Sequence, residues 1–467
     1  MSNEKSNSYY FPLVTLTTLF FMWGFITCLN DILIPYLKDV FELTHFQSNL
    51  VQLAFFLAYF IVSLLYFIVS ALFGDPIMKI GYKNTIVLGL VISAIACFLF
   101  FLEASSESPA FSQFLLALFL LGSGFTFLQI AANPLVAVLG TPETSSSRLN
   151  LSQAFNSLGT TLAPIIGGYF IFEYFDAGTQ GATEVQIPYL FLTSVLLILA
   201  GVIFMADIPN VQPGVDAEVG NIKAGALKYP HLVFGMFAIF CYVGAEVAIG
   251  SNLVGYMGGS HGIAKETASQ LLSFYWGGAM IGRFMGALSM SQLPTFRKRI
   301  LMVLVAVITF LLIIVITYEK LSASIDYRGY LYYLGFLVLN YFMFILAKSK
   351  PSKTLGIFAI VNICLIVAML LFNKEFSLWC ILSVGLFNSI MFSNVFTLAI
   401  DGLGKYTSQG SSLLVMMILG GAVLPPLQGM VADHFGVQMA FFIPMICYAY
   451  LVWYGFIGCN IRKDKSC

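Results

Sequence analysis

Two carboxylates lie in stretches of the chain that are otherwise apolar enough to cross a membrane. Asp31 stands in the stretch 20–35 (FFMWGFITCLNDILIP), and Glu246 stands in the stretch 240–251 (FCYVGAEVAIGS). An ionisable side chain at membrane depth is costly unless it faces a cavity or a partner, so it marks a functional site by default. Burial also makes protonation of a carboxyl group possible near neutral pH. We therefore predict that Asp31 and Glu246 carry protons in a transport site.

Each carboxylate also has a simpler interpretation. Asp31 stands near the outer end of its predicted span, where it could be a hydrated carboxylate at the membrane interface. Glu246 stands near the middle of its span and could form a structural ion pair with Arg283, the one Lys or Arg residue that lies inside a predicted span and not at its first residue. The second interpretation is compatible with coupling, because a carboxylate that substrate or proton releases from an arginine acts as a switch.

Amide side chains form two sets with helical spacing. Gln129 and Asn133 are four residues apart, and Asn150, Gln153 and Asn156 follow one another at intervals of three, so each set shares a helix face. Amides donate to and accept from sugar hydroxyls without the desolvation cost of an ion. The alternative is that they join helices across a membrane bundle.

The composition indicates a membrane protein. Of the 467 residues, 59% are hydrophobic and only 9% are charged, against roughly 25% charged in soluble domains. The net charge is zero and gives no indication of a nucleic-acid partner. The eight cysteines show no metal-binding spacing, so we expect neither a metal nor a cofactor. The first apolar stretch lacks a cleavage site and is expected to be a retained helix.

Dividing the chain where polar or turn residues interrupt apolar runs of roughly 20 residues predicts fourteen membrane-spanning helices. The predicted spans are 12–36, 47–73, 85–102, 113–139, 150–174, 188–206, 231–257, 269–292, 299–318, 328–347, 355–372, 377–400, 409–432 and 437–458.

The basic residues orient these spans. With a cytoplasmic N-terminus, sixteen Lys and Arg residues fall on the inner side and five on the outer side, so both termini are predicted inside. A polar loop at 207–230 separates an N-terminal half, 1–206, from a C-terminal half, 231–467. Two related halves with a site between them are the usual plan of a secondary transporter.

Several motifs distributed over both halves together resemble the fucose and hexose permease branch of the major facilitator superfamily. They are NDILIP (30–35), LQIAANPLVAVLG (128–140), SSRLNLSQAFNSLGTTLAP (146–164), CYVGAE (241–246), GRFMG (282–286) and QGSSLLVMMILGGAVLPPLQG (409–429). The stretch GDPIMKIGYK (74–83) also resembles the loop between spans two and three of that superfamily. The resemblance implies twelve helices in two six-helix halves. An extra apolar hairpin at about 299–347 departs from that plan, so the predicted fold is an all-α integral membrane protein with about fourteen spans.

The resemblance also implies roles for single residues. Asp31 matches the transmembrane aspartate of the family. Gln129 stands where fucose-type members have an acid, and Glu246 stands where they have glutamine, a pattern more similar to glucose/galactose members. Gln153 and Asn156 match sugar-binding positions, so we predict sugar contacts for them and for Gln129.

Two further residues complete the predicted site. Asn388 is a candidate polar contact from the second half. Phe392 stands where fucose-type members have tyrosine, and we expect its ring to stack on the apolar face of a sugar while a hydroxyl contact is lost. Asn133 and Asn150 are instead expected to join helices.

The sequence thus predicts a proton-coupled symporter for a glucose- or galactose-type monosaccharide. It is expected to work by alternating access as a monomer among the lipids of the cell inner membrane, and to be no enzyme. The open alternatives are an L-fucose or N-acetylhexosamine symporter, a sodium-coupled symporter and an uncoupled sugar facilitator. A channel, a membrane-embedded enzyme and a sugar sensor are weaker alternatives.

Overall fold

The computed structural model describes residues 10–42, 45–169, 186–208, 224–321, 327–372 and 374–461, and this part of the chain is almost entirely helical. The helices of the first part of the sequence are α1 (Tyr10–Val40), α2 (His45–Phe73), α3 (Pro76–Ile80), α4 (Tyr82–Ala104), α5 (Phe111–Val138), α6 (Ser145–Tyr169) and α7 (Gln186–Met205). They are followed by α8 (Pro230–His261), α9 (Lys265–Ser289), α10 (Thr295–Leu321), α11 (Tyr327–Leu346), α12 (Pro351–Leu371), α13 (Lys374–Asn388), α14 (Met391–Ile400), α15 (Thr407–Met416), α16 (Gly420–Phe435) and α17 (Phe442–Phe456).

Within the described residues, twelve helical segments are long and apolar enough to cross a membrane. α6 and α9 are not among the twelve, although each has 25 residues. These two helices carry Gln153, Asn156 and Arg283, whereas the helices that carry Gln129 and Glu246 are among the twelve. The predicted all-α membrane architecture is confirmed, whereas the total of fourteen crossings stays a prediction.

Two predicted spans are interrupted. The span predicted at 377–400 consists of α13 and α14, separated by a turn at Ser389 and Ile390. The span predicted at 409–432 consists of α15 and α16, separated by a 3₁₀ turn at Met417–Leu419. Hydropathy did not reveal these interruptions because the residues that form them are as apolar or as small as their neighbours.

The chain forms two compact units. The first unit contains Met1–Gly140, Leu158–Ala226 and Gly402–Met416, and the second contains Thr141–Ser157, Leu227–Asp401 and Met417–Cys467. α15 therefore packs within the first unit, and the beginning of α6 packs within the second. The halves predicted at 1–206 and 231–467 remain sequence-based predictions.

A buried carboxylate closes the turn between α2 and α3 in the first unit. Asp75 is 2% exposed and caps the N-terminus of α3, where its Oδ1 accepts the backbone N–H of Ile77 at 3.0 Å. The Tyr66 hydroxyl donates to the same oxygen at 2.5 Å. The Ser408 hydroxyl at the start of α15 donates to Oδ2, so Asp75 joins α15 to the α2–α3 turn.

In the second unit, the predicted extra hairpin consists of α10 and α11. α10 packs along α9, and α11 packs against α13. The ring of Tyr333 on α11 is buried, stacks on Phe310 of α10 at 5.6 Å, and its hydroxyl donates to the backbone carbonyl of Phe274 on α9 at 2.8 Å. The hairpin is thus bonded to α9, the helix that carries Arg283.

Candidate functional site

The predicted pair of Glu246 and Arg283 is formed. Nη2 of Arg283 on α9 lies 3.3 Å from Oε1 of Glu246 on α8. The side chains of Arg283 and Glu246 are 12% and 11% exposed, respectively. The charges are therefore largely buried but still reach solvent. This is the one ion pair found among the described residues. A buried pair of this kind costs desolvation energy, which makes it weak evidence for stability alone.

The arginine has three further partners. Its Nε donates to the backbone carbonyl of Ser389 at 3.0 Å, its Nη2 lies 3.3 Å from the Tyr242 hydroxyl, and its Nη1 donates to the Ser157 hydroxyl. The Tyr242 hydroxyl also lies beside the Glu246 carboxylate. Arginine presents five N–H donors, so Arg283 keeps partners when the single contact with Glu246 opens.

A glycine lets Arg283 reach the helix break. Gly282 precedes it on α9, and a Cβ atom at this position would collide with the Ser389 side chain and with the Leu386 backbone carbonyl. Only a residue without a side chain allows this approach of α9 to the end of α13. The close contact places the guanidinium of Arg283 beside the Ser389 carbonyl.

The contact between Arg283 and Ser157 also brings the predicted sugar-binding segment of α6 to the ion pair. Ser157 follows Asn156 directly and lies one turn after Gln153, whose backbone carbonyl accepts the Ser157 hydroxyl at 3.1 Å. Gln153 is 7% exposed and Asn156 is half-buried. Amides that can bond sugar hydroxyls are therefore adjacent in sequence to a side chain that bonds Arg283.

The start of α6 is held by further polar contacts within the second unit. The Ser146 hydroxyl lies 2.7 Å from the Thr397 hydroxyl, and Nδ2 of Asn150 lies 3.3 Å from Oδ1 of Asn394. Asn150 is fully buried. It joins α6 to α14, as the sequence analysis expected of this amide.

Phe392 lies at the start of α14, directly after the helix break. Its ring centroid is 6.4 Å from that of Tyr242 with an interplanar angle of 53°, and 5.9 Å from that of Phe396. The side chain is 9% exposed. Phe392 therefore adjoins the Tyr242 side of the ion pair.

Asn388 occupies a different environment from the one expected of a sugar contact. It is fully buried, its Oδ1 accepts from Tyr448 at 2.7 Å and from Asn362 at 2.9 Å, and its Nδ2 lies 2.9 Å from the Tyr275 hydroxyl. The Tyr275 hydroxyl in turn donates to the backbone carbonyl of Glu246 at 2.9 Å. These protein bonds make Asn388 part of a network behind Glu246, and direct sugar contact by Asn388 stays a prediction.

A known protein family matches more than half of the chain. The model of the Major Facilitator Superfamily matches residues 14–326. The chain belongs to the major facilitator superfamily.

Relatives within the superfamily match nearly the whole chain. The glucose/galactose transporter of Brucella abortus is 41% identical over 459 residues, which cover 97% of this chain and 96% of that protein. The L-fucose-proton symporter of Escherichia coli is 28% identical over 488 residues, which cover 99% of this chain and 95% of that protein. The crystal structure of the E. coli fucose:proton symporter superposes with a TM-score of 0.74 at 26% identity, covering 96% of this chain and 98% of that one.

These matches confirm the predicted resemblance to the fucose and hexose permease branch. This major facilitator protein is an integral multi-pass membrane protein. Members of the superfamily are transporters, so the prediction that the chain is no enzyme is confirmed.

The first unit of this major facilitator protein holds the other predicted sugar contact. Gln129 on α5 is 3% exposed, and its side chain lies beside the hydroxyl of Tyr59 on α2. Trp23 on α1 lies beside the same hydroxyl. Asp31 falls within α1, but its side chain lies outside the described part of the structure.

The sequence analysis missed several tyrosines and one amide of these sites, namely Tyr59, Tyr242, Tyr275, Tyr448 and Asn362. Tyr242 precedes Glu246 by four residues on one helix, and this spacing could have revealed it. The others come from neighbouring helices, and their sequence positions carry no such signal. Among the described residues, no group of His, Cys, Asp and Glu could hold a metal ion.

Proposed function

We propose that this major facilitator protein is a proton-coupled symporter for glucose or galactose. The Glu246–Arg283 pair is the observation that carries this proposal, because Arg283 keeps the Ser389 carbonyl and the Ser157 hydroxyl as partners when the pair opens. The name of the Brucella abortus relative supports the choice of sugar, and the name of the E. coli relative supports the proton.

Protonation of Glu246 provides the coupling step. Opening a buried ion pair with both charges intact is strongly unfavourable, whereas a proton on Glu246 removes one charge and weakens the attraction. Arg283 then stays bonded to Ser389, Tyr242 and Ser157. Its freed N–H donor becomes available to a sugar hydroxyl, and loss of the proton restores the pair.

The sugar is bound by neutral amides and an aromatic ring. Gln153 and Asn156 donate to and accept from its hydroxyls, and Phe392 packs on its apolar face. Gln129 is assigned to the same task, Asn388 supports the site from behind, and Asp31 is assigned to proton transfer.

The remaining assignments concern the membrane, the oligomeric state and the orientation of the chain. We place the protein in the cell inner membrane as a monomer surrounded by lipid, with both termini in the cytoplasm. Single cysteines at Ser106 and Lys353, both exposed, are expected to react with an impermeant reagent from outside and from inside, respectively. The reverse pattern would contradict the orientation.

Uptake by purified protein in liposomes tests the function. Labelled glucose, galactose, L-fucose and N-acetylglucosamine are each offered with an imposed proton gradient, an imposed sodium gradient, or none. We expect accumulation of glucose or galactose with the proton gradient alone, and its loss in Asp31→Asn and Glu246→Gln. Accumulation driven by sodium, or equilibration without accumulation, would contradict proton coupling, and preference for L-fucose would contradict the assigned sugar.

Binding measurements test the sugar contacts. Gln153→Ala and Asn156→Ala are each expected to weaken hexose binding by about 1–3 kcal/mol, since each leaves a buried hydroxyl unpaired. Asn150→Ala is the matched control, because Asn150 is an amide of the same helix that bonds Asn394. Unchanged affinity in both site variants would show that α6 does not bind the sugar.

A further inference from the structure

The break between α13 and α14 lies in the sequence Phe387–Phe392 (FNSIMF), which contains neither proline nor glycine. Sharp interruptions of a helix otherwise arise where side chains enter the backbone hydrogen-bond ladder. At this break, the Ser389 hydroxyl donates to the backbone carbonyl of Leu386 at 2.7 Å. Side chains from two neighbouring helices also bond the carbonyls of the break.

One of these side chains comes from the inserted hairpin. Nδ2 of Asn340 on α11 donates to the Leu386 carbonyl at 3.0 Å. The second is Arg283, whose Nε donates to the Ser389 carbonyl at 3.0 Å. In an uninterrupted α-helix, these carbonyls would accept the N–H groups of residues 390 and 393. Asn340 and Arg283 therefore hold the two sides of one break.

Asn340 is an unusual residue for a purely packing position. The buried face of α11 carries Tyr333, Leu337, Asn340 and Phe344 at helical spacing, whereas Leu331, Leu334, Val338, Phe342 and Leu346 are exposed. Asn340 is fully buried, and its Oδ1 has no hydrogen-bond partner among the described residues. An apolar residue would fill this place without burying an unpaired carbonyl oxygen.

We infer that Asn340 of the inserted hairpin is a positioning residue for the Glu246–Arg283 pair, acting through the Leu386 carbonyl and the helix break. This inference rests on the proposed function. Without the Asn340 donor, α13 and α14 can form a more regular ladder, and the Ser389 carbonyl then turns to the N–H of residue 393. Arg283 loses that partner and binds Glu246 more exclusively, which hinders the opening of the pair.

The test compares accumulation with exchange in liposomes. Accumulation requires the pair to close and open in every cycle, whereas exchange of sugar between two equal pools requires no net proton release. The ratio of the two rates is independent of the amount of active protein. In Asn340→Leu we expect this ratio to fall by about three- to tenfold, as for the loss of one positioning hydrogen bond.

Tyr333→Phe is the matched control. It removes another hydrogen bond from α11 to a backbone carbonyl, that of Phe274 on α9, which is not one of the two carbonyls of the break. We expect its ratio to equal that of the wild type. An unchanged ratio in Asn340→Leu, or an equal fall in both variants, would overturn the inference.

Two other outcomes can be told apart from a failure of the inference: a variant that does not fold, and a wild-type protein without proton coupling. If Asn340→Leu does not fold, Asn340→Ala removes the same donor with less added bulk and is held to the same expectation. If the wild-type protein shows exchange but no proton-driven accumulation, the proposed coupling fails. The two variants are then compared by hexose affinity, where equal affinities overturn the positioning role and a loss in the Asn340 variant alone supports it.

Discussion

Asp75 in the first unit and Glu246 in the second are both buried carboxylates, but different kinds of groups bond them. Asp75 accepts from the Tyr66 and Ser408 hydroxyls and from the Ile77 backbone N–H, all of which are neutral donors. Glu246 is paired with the charged guanidinium of Arg283, and the Tyr242 hydroxyl lies beside it. Burial alone therefore does not identify a coupling carboxylate.

The partners of the two carboxylates differ in whether they have other groups to bond when the carboxylate loses its charge. Ile77 is fixed by the cap of α3, where its N–H also lies 3.4 Å from the Tyr66 hydroxyl, and that hydroxyl points to Asp75. Removal of the Asp75 charge therefore weakens the acceptor that these two donors share. Arg283 has the Ser389 carbonyl and the Ser157 hydroxyl in addition to Glu246. A site with such alternatives can pass between two bonded states, which is what coupling requires.

The largest expected difference concerns coupling itself. Glu246→Gln keeps the size of the side chain but cannot exchange a proton, so we expect proton-driven accumulation to fall to passive equilibration while sugar exchange survives. Asp75→Asn should leave the ratio of accumulation to exchange unchanged. Both are measured in the same liposomes. A fall in the ratio of accumulation to exchange in Asp75→Asn, or an unchanged ratio in Glu246→Gln, would contradict the assigned roles.

The next effect concerns stability. Arg283→Gln leaves the Glu246 charge buried without its partner, which costs about 3–5 kcal/mol in such pairs. The double variant Arg283→Gln with Glu246→Gln should recover most of this loss, because no charge is then buried at the pair. Denaturant unfolding in detergent measures both. Equal destabilisation of the single and double variants would show that packing of Arg283, and not its charge, determines the loss.

Parts of this comparison could be predicted from the sequence. Glu246 and Arg283 were found because charge inside an apolar run is costly and therefore informative. Asp75 was seen only as part of a loop motif, because a charged residue between two apolar runs is ordinary and its burial depends on Ser408, 333 residues away. Asn340 gave no signal, because its partner is a backbone carbonyl on another helix.

The same limit applies to the fold. Apolar runs predicted where helices lie, but they did not predict the interruptions at Ser389 and at Met417–Leu419. At Ser389 the interruption coincides with hydrogen bonds from Arg283 and Asn340, and such contacts are set by the tertiary structure. The placement of α15 in the first unit also depends on such contacts.

A smaller effect is expected for the stability of the first unit. Asp75→Asn brings an amide donor toward the Tyr66 and Ser408 hydroxyls, so at least one buried group loses its partner, at a cost of about 1–3 kcal/mol. Asp433→Asn is the matched control, since Asp433 is an exposed acid on α16. Denaturant unfolding compares the two variants. If Asp433→Asn lowers the free energy of unfolding as much as Asp75→Asn does, the structural role of Asp75 is contradicted.

The last comparison concerns the single hydroxyl that lies beside each carboxylate. Tyr66→Phe removes a short bond to Asp75, which has no charged partner among the described residues, and should cost about 1.5–3 kcal/mol, as for a hydrogen bond to a charged group. Tyr242→Phe removes a hydroxyl that lies 3.3 Å from Nη2 of Arg283 and beside Glu246, which keeps Arg283, and should cost only about 0.5–1.5 kcal/mol. The free energy of unfolding of both variants decides the order. If Tyr242→Phe is the more destabilising, Glu246 depends on the neutral Tyr242 hydroxyl at least as much as Asp75 depends on Tyr66, and the distinction between the two carboxylates fails.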